Sequence, residues 1–163
     1  MSSSLMKLKG QFENAPVLWD AVENAQINPL MLEKHMYKVK TEIMDSHIDG
    51  IKSIISEGIE KGYRYDKVGD KIQRYLGVKG VEISSSDSEK IAVTETHWSI
   101  NEGRRQSFQN VGIKRMKIDV ALTACEICSD MSGETFPVDQ TDVCPVHTRC
   151  RCALVPVFNF ENN

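Results

Sequence analysis

Five cysteines and one histidine crowd into residues 125–152 of a 163-residue chain, in the types and spacing of a metal site. The order is Cys125-x2-Cys128, eighteen intervening residues, then His147-x2-Cys150-x-Cys152, with Cys144 just ahead of the histidine. Two ligands three residues apart can face one ion from a single tight turn. A second pair on a distant turn completes a tetrahedron, so the ion staples two pieces of chain that share little core. This two-plus-two pattern is a far stronger zinc signal than an isolated Cys-x-x-Cys.

Other thiol chemistry fits less well. An odd cysteine count and an expected reducing, cytoplasmic origin disfavour disulfides. Plain buried cysteines would not cluster while residues 1–124 contain none. A thioredoxin-like pair needs a parallel βαβ context. A hydrolytic zinc keeps one position open for water, whereas four or more soft ligands here suffice to close the shell. The deaminase signature also fails, because no His-x-Glu precedes the Cys-x-x-Cys. The site is expected to be structural and the chain not an enzyme.

Helices and short strands must position these ligands. Asn28-Pro29 can open a helix whose apolar stripe is Leu32, Met36, Val39 and Ile43. The stripe resumes at Ile51, Ile54, Ile55 and Ile59, with Gly62 as a stop. The polar run Asp45–Gly50 between them is able to break or bend the helix, which leaves open one long helix or two. Asp66 is a candidate cap for a helix carrying Val68, Ile72, Tyr75 and Leu76, which Gly77 would close. Ser86-x-x-Glu89 reads as a capping box for a helix through Ile91, Trp98 and Arg105 to about Asn110 or Gly112. The period then changes. Met116, Ile118, Val120 and Leu122 alternate with polar or small residues as a strand does. Ser132-Gly133 marks a turn, residues 134–138 a short strand, and residues 153–158 a last strand that Pro156 should interrupt. Helices first and strands last give an α+β class, with a small antiparallel sheet beside a zinc-knuckle-like Cys/His site. The expected division is a helical N-terminal extension, residues 1–49, and a domain over residues 50–163 whose tail, residues 125–152, binds the metal.

The totals are those of an ordinary globular chain, with 40% hydrophobic and 26% charged residues. A net charge of -3 does not announce a nucleic-acid or anionic-membrane binder. No apolar run reaches the roughly 20 residues of a membrane span, and the first residues lack the features of a signal peptide. Locally, Arg104, Arg105, Lys114, Arg115 and Lys117 form a basic stretch, with Arg149 and Arg151 in the tail. Such a run is either a solvated face or a phosphate-contacting patch without base readout. Glu95 and Trp98 share a helical face, where a glutamate more often pairs within the fold than performs catalysis. His97 is expected to be packed or at the surface. His35 and His47 have no identifiable partner.

The helix Ile91–Gly112, with Thr94-Glu95-Thr96 inside it, is followed by Cys125-Glu126-Ile127-Cys128, Met131–Val138, and Pro145–Cys152. In that order these segments resemble the Mu F-like minor head proteins of tailed bacteriophages, also called head-morphogenesis proteins. That family shows an Ala-Arg-Thr-Glu-Thr helix, a Cys-x-x-Cys, a Gly-x-x-Phe turn and a terminal His-Pro-Asn-Cys-Arg-Cys. The likeness spans about residues 50–156. It implies a structural minor component of the virion, in the capsid interior or portal region, present in the host cytoplasm during assembly and acting in DNA packaging or ejection. Its implied partners are the portal or other head proteins and phage genomic DNA, with no membrane and no small-molecule substrate. The alternative is a free-standing zinc module that binds nucleic acid in a regulatory role. Several positions depart from the family: Val93 replaces an arginine, Thr148-Arg149 replaces Pro-Asn, and Cys144 is additional. The zinc ligands are expected to be Cys125, Cys128 and His147, with Cys150 or Cys152 as the fourth. Cys150 is favoured because His147-x2-Cys150 makes a compact turn. Cys144 matches no family ligand position and is expected to be a free or packed thiol.

Overall fold

The computed structural model describes residues 45–158. The stripe from Leu32 to Ile43, His35, and most of the expected extension lie outside the described residues. Three helices lead: α1 (Asp45–Glu60), α2 (Tyr65–Val78) and α3 (Ser85–Asn110). Then follow β1 (Arg115–Asp119), a short α4 (Glu126–Asp130), β2 (Thr135–Pro137) and β3 (Ala153–Val157). The class is α+β, as the order of patterns predicts.

The helices bury one cluster of aliphatic side chains. Ile51 and Ile55 of α1 meet Val68, Ile72 and Leu76 of α2, with Ile91 and Ala92 of α3 closing the cluster. Each such side chain removed from water contributes about 1.5–3 kcal/mol. Asp45–Gly50 does not interrupt the helix, because α1 runs through it to Glu60. Gly50 serves packing there, not interruption: a Cβ on it would lie 2.1 Å from Tyr75 Cζ. His47 is buried, its ring edge-on to that of Tyr75 with centroids 6.5 Å apart. Gly62, at φ 62°, follows α1 as the expected stop.

Helix α3 begins two residues before the expected box. Ser84 is the cap: its Oγ accepts the Asp87 N–H at 3.0 Å and donates to Asp87 Oδ2 at 2.7 Å. The same three-residue spacing allows either box, and Ser86 is engaged elsewhere, by Arg149. In α2, Arg64 holds the cap position and Asp66 lies inside the first turn.

The sheet has the order β2-β1-β3, with both pairings antiparallel. Met116 lies opposite Phe136 on one side and Pro156 on the other, and Ile118 faces Leu154. Met116, Ile118 and Leu154 point into a second core that includes Phe108 of α3 and four cysteines. Pro156 does not interrupt β3, since an edge strand tolerates a missing N–H. The alternation expected through Leu122 stops at Asp119, and Leu122 is fully exposed. The chain turns there, with Ala124 N–H bonded to Ala121 O at 2.9 Å, and so delivers Cys125 to the site.

The contact between α2 and α3 depends on Gly69, where a Cβ would sit 3.0 Å from the backbone N and Cα of Glu89. Gly69→Ala should therefore destabilise the protein by about 1–3 kcal/mol, as overpacking does, despite alanine's better helix propensity. Urea unfolding reads this directly. An unchanged or raised midpoint would mean that the two helices separate without cost.

Candidate metal centre

The tail has little regular structure, so its side chains hold it in place. Cys125 is the N-cap of α4 and Cys128 lies within that helix, one turn on. The other ligand candidates sit on the loop 144–152 that precedes β3. Cys125 Sγ and Cys128 Sγ each lie 3.1 Å from His147 Nε2, and Cys128 Sγ lies 3.7 Å from Cys150 Sγ. The donors form two groups of three, Cys125–Cys128–His147 and Cys128–Cys150–Cys152, with the atoms of each group within 4.8 Å of one another. Cys128 is common to both. All five cysteines are free thiols, and the separation of Cys128 from Cys150 is close to the roughly 3.8 Å edge of a tetrahedron with 2.3 Å metal–sulfur bonds. Both groups could hold a metal ion.

The structure thus brings together the three ligands expected first, and places both candidates for the fourth beside Cys128. Cys144 belongs to neither group but is not remote. It is buried, and its thiol donates to Cys152 O at 3.3 Å.

Electrostatics divides the thiols. The thiol of Cys144 next to Cys150 stabilises a Cys150 thiolate and, against burial, holds its pKa down to about 4. The same contact, together with burial, pushes Cys144 far up. Burial also raises Cys128, whose backbone N–H favours the charged form of Cys125. Burial opposes charge on His147, yet the Thr148 carbonyl and nearby thiolates outweigh it and raise the imidazole's pKa. A bound cation would favour all these groups in their deprotonated forms.

Three residues of α3 pin the tail. Asn101 is fully buried. Its Nδ2 donates to Cys152 O at 3.1 Å and to Cys144 Sγ at 3.3 Å, while its Oδ1 accepts the Leu154 N–H at 2.9 Å. Thr94 Oγ1 donates to Lys90 O and accepts the Arg149 N–H at 3.0 Å. Arg149 has a left-handed backbone, φ 61°, and its guanidinium donates to Ser86 O and Oγ. Trp98 Nε1 adds a bond to Asp142 Oδ1 at 3.1 Å. Nothing in the spacing of apolar residues marks Asn101. The one sequence cue is an asparagine amid the helix Ile91–Gly112, where its side chain competes with the backbone unless it has work elsewhere.

The basic stretch does not form one surface. Arg105 is buried, its guanidinium bonded to both carboxylate oxygens of Glu102 and to Val138 O at 3.0 Å. Arg104 is half-buried and donates to Asn101 Oδ1. Arg115 clasps Thr135 across the sheet. Lys114, Arg115 and Lys117 remain exposed. Glu95 is fully buried. His97 is in neither donor group, and its Nε2 meets the Tyr65 hydroxyl at 2.8 Å.

Asn101→Ala should leave the Leu154 N–H and Cys152 O without their partner, destabilising the protein by about 1–3 kcal/mol. It should also weaken metal affinity about 10–100-fold, as loss of an outer-shell partner does. Competition titration with a chromogenic chelator measures the latter, and wild-type affinity in this variant would remove Asn101 from the site. A second outcome concerns pH. Burial, chiefly, pushes the His97 imidazole down from 6.5 to about 4. The unfolded chain then takes up a proton that the folded one refuses, so stability falls as pH drops from about 6.5 towards 4. His97→Gln retains an acceptor for Tyr65 but does not titrate. With metal chelated in both proteins, its unfolding midpoint should decline less over that interval, and parallel curves would contradict the assignment.

The chain matches no protein-family model, no curated protein and no solved structure.

Proposed function

We propose that this chain is a Mu F-like head-morphogenesis protein, a minor structural component of a tailed-phage head, and that zinc fastens its tail. The observation that carries the reading is the bond from the Arg149 N–H to Thr94 Oγ1. Its two ends belong to the helix motif and the closing motif of that family, segments 55 residues apart in sequence. Here they form one unit. The family's asparagine also falls at the position of Arg149, whose left-handed backbone asparagine adopts more readily than most residues. In this chain the guanidinium's bonds to Ser86 offset that strain.

Zinc suits the donor set. Thiolates and an imidazole select it over hard cations, and tetrahedral sulfur and nitrogen coordination is its usual geometry. A closed shell of this kind has a structural role and needs no substrate. The protein's work is then to present surfaces: to the portal or other head proteins, and to genomic DNA through Lys114, Arg115 and Lys117. The withdrawal of Arg105 into an ion pair leaves the regulatory nucleic-acid reading with the weaker support. No described helix is long and apolar enough to cross a membrane.

The protein should be found in purified virions and proheads at low copy relative to the major capsid protein, with mass spectrometry as the measurement. Consistent absence from both particles would sink the proposal and favour a free-standing regulatory module. Salt dependence separates the DNA arm of the reading. Lys114→Glu with Lys117→Glu should reduce DNA affinity and flatten its slope with salt, without sequence preference.

A further inference from the structure

One tetrahedral ion needs four ligands, and the tail offers six: Cys125, Cys128, Cys144, His147, Cys150 and Cys152. Six is the number that two tetrahedral ions require when they share two bridging thiolates, since each ion then has two terminal and two shared ligands. The geometry supplies part of that division, with one donor common to two groups and Cys144 outside both. One group of donors is Cys125, Cys128 and His147, the other Cys128, Cys150 and Cys152, and Cys128 stands in both. Cys128 and Cys150, 3.7 Å apart, have the spacing of a shared edge. We infer that the tail holds a binuclear zinc cluster, with Cys128 and Cys150 bridging, Cys125 and His147 terminal on one ion, and Cys144 and Cys152 terminal on the other. The inference rests on the reading of the tail as a zinc site and goes beyond it in nuclearity and in the role of Cys144.

Charge permits two ions. Five thiolates on two divalent ions carry one net negative charge, the same as three thiolates and a neutral histidine on one ion, so the second ion adds no uncompensated charge around the buried Cys128, Cys144, Cys150 and Cys152. Cys144 is also set up as a ligand. The Asn101 amide donates to its sulfur, as outer-shell groups do to metal thiolates. The proton its thiol now gives to Cys152 O is the one that metal binding would release to solvent. Completing both shells draws Cys150 towards Cys125 and His147, and Cys144 towards Cys128 and Cys152.

Native mass spectrometry of the full chain, purified reduced and loaded with zinc, counts the ions. Two per chain is the expected result. One per chain overturns the binuclear cluster while leaving a zinc site in place, and none overturns both readings, so the two failures are distinguishable. Cys144→Ser should bind one ion where the wild type binds two, and retention of two would overturn its assignment. Substitution of cadmium-113 supplies a readout that needs no variant. Two resonances split by coupling through shared sulfurs are expected, and a single resonance overturns the inference.

Discussion

Asn101 is the point at which the long helix and the tail become one structure. Its amide nitrogen reaches the carbonyl of Cys152 and the sulfur of Cys144, and its amide oxygen takes the N–H of Leu154, the second residue of β3. A buried primary amide has few ways to satisfy its donors and acceptor together, and here each is taken up by a different part of the tail or, through Arg104, by its own helix. The path of the loop from Cys144 to Leu154 is thereby fixed relative to α3. Since β3 pairs with β1 over five residues, that loop also sets the register of the sheet. Leucine has the same branched side-chain outline as asparagine but offers the loop nothing to bond to, so shape alone cannot hold it.

Around that anchor the described residues form two cores with different chemistry. The first is aliphatic and built by three helices, chiefly α1 and α2. The second is small, and four of its ten buried residues are cysteines. Thiols pack as small hydrophobes, but they do little to order the loops that carry them, and the loop residues lose conformational entropy of about 1–2 kcal/mol each on fixing their backbone. The aliphatic residues of β1, with Phe108, Val138, Val143 and Leu154, are few for the segments 120–134 and 138–152 that they must hold. A metal ion on the clustered donors would supply what the second core lacks. Helix α3 serves both, giving Ile91 and Ala92 to the first and Phe108 to the second.

The sequence made the donor cluster legible because coordination constrains spacing, and the strands legible because one buried face enforces alternation. Met116 and Ile118 follow that rule, and it fails at Leu122 once the chain must turn towards Cys125. What the sequence could not disclose depended on partners distant in the chain. The run from Arg104 to Lys117 reads as a single cationic surface until Glu102, three residues before Arg105, folds back onto its guanidinium and Val138 O completes the enclosure. The residues at Asp45–Gly50 look like a helix break because glycine and aspartate usually oppose helix. The ring of Tyr75 packed on Gly50 supplies the tertiary reason for continuing. The role of Asn101 is hidden for the same reason: its partners in the tail lie 43 to 53 residues away.

The tail also touches the first helical layer at one further place. The Arg151 guanidinium lies 5.5 Å from the centre of the Tyr65 ring, and the Tyr65 hydroxyl meets His97 on α3. Arg151 sits between Cys150 and Cys152, so any rearrangement of those sulfurs moves the cation over the first residue of α2. Thr94 and Arg149 give the loop a second hold on the same helix, a turn away from His97. A loop held at Thr94, Tyr65 and Asn101 leaves its sulfurs only local adjustments to make. A hold of that kind would lower the entropy cost of binding an ion, and would tie occupancy of the site to the helical surface formed by α2 and α3.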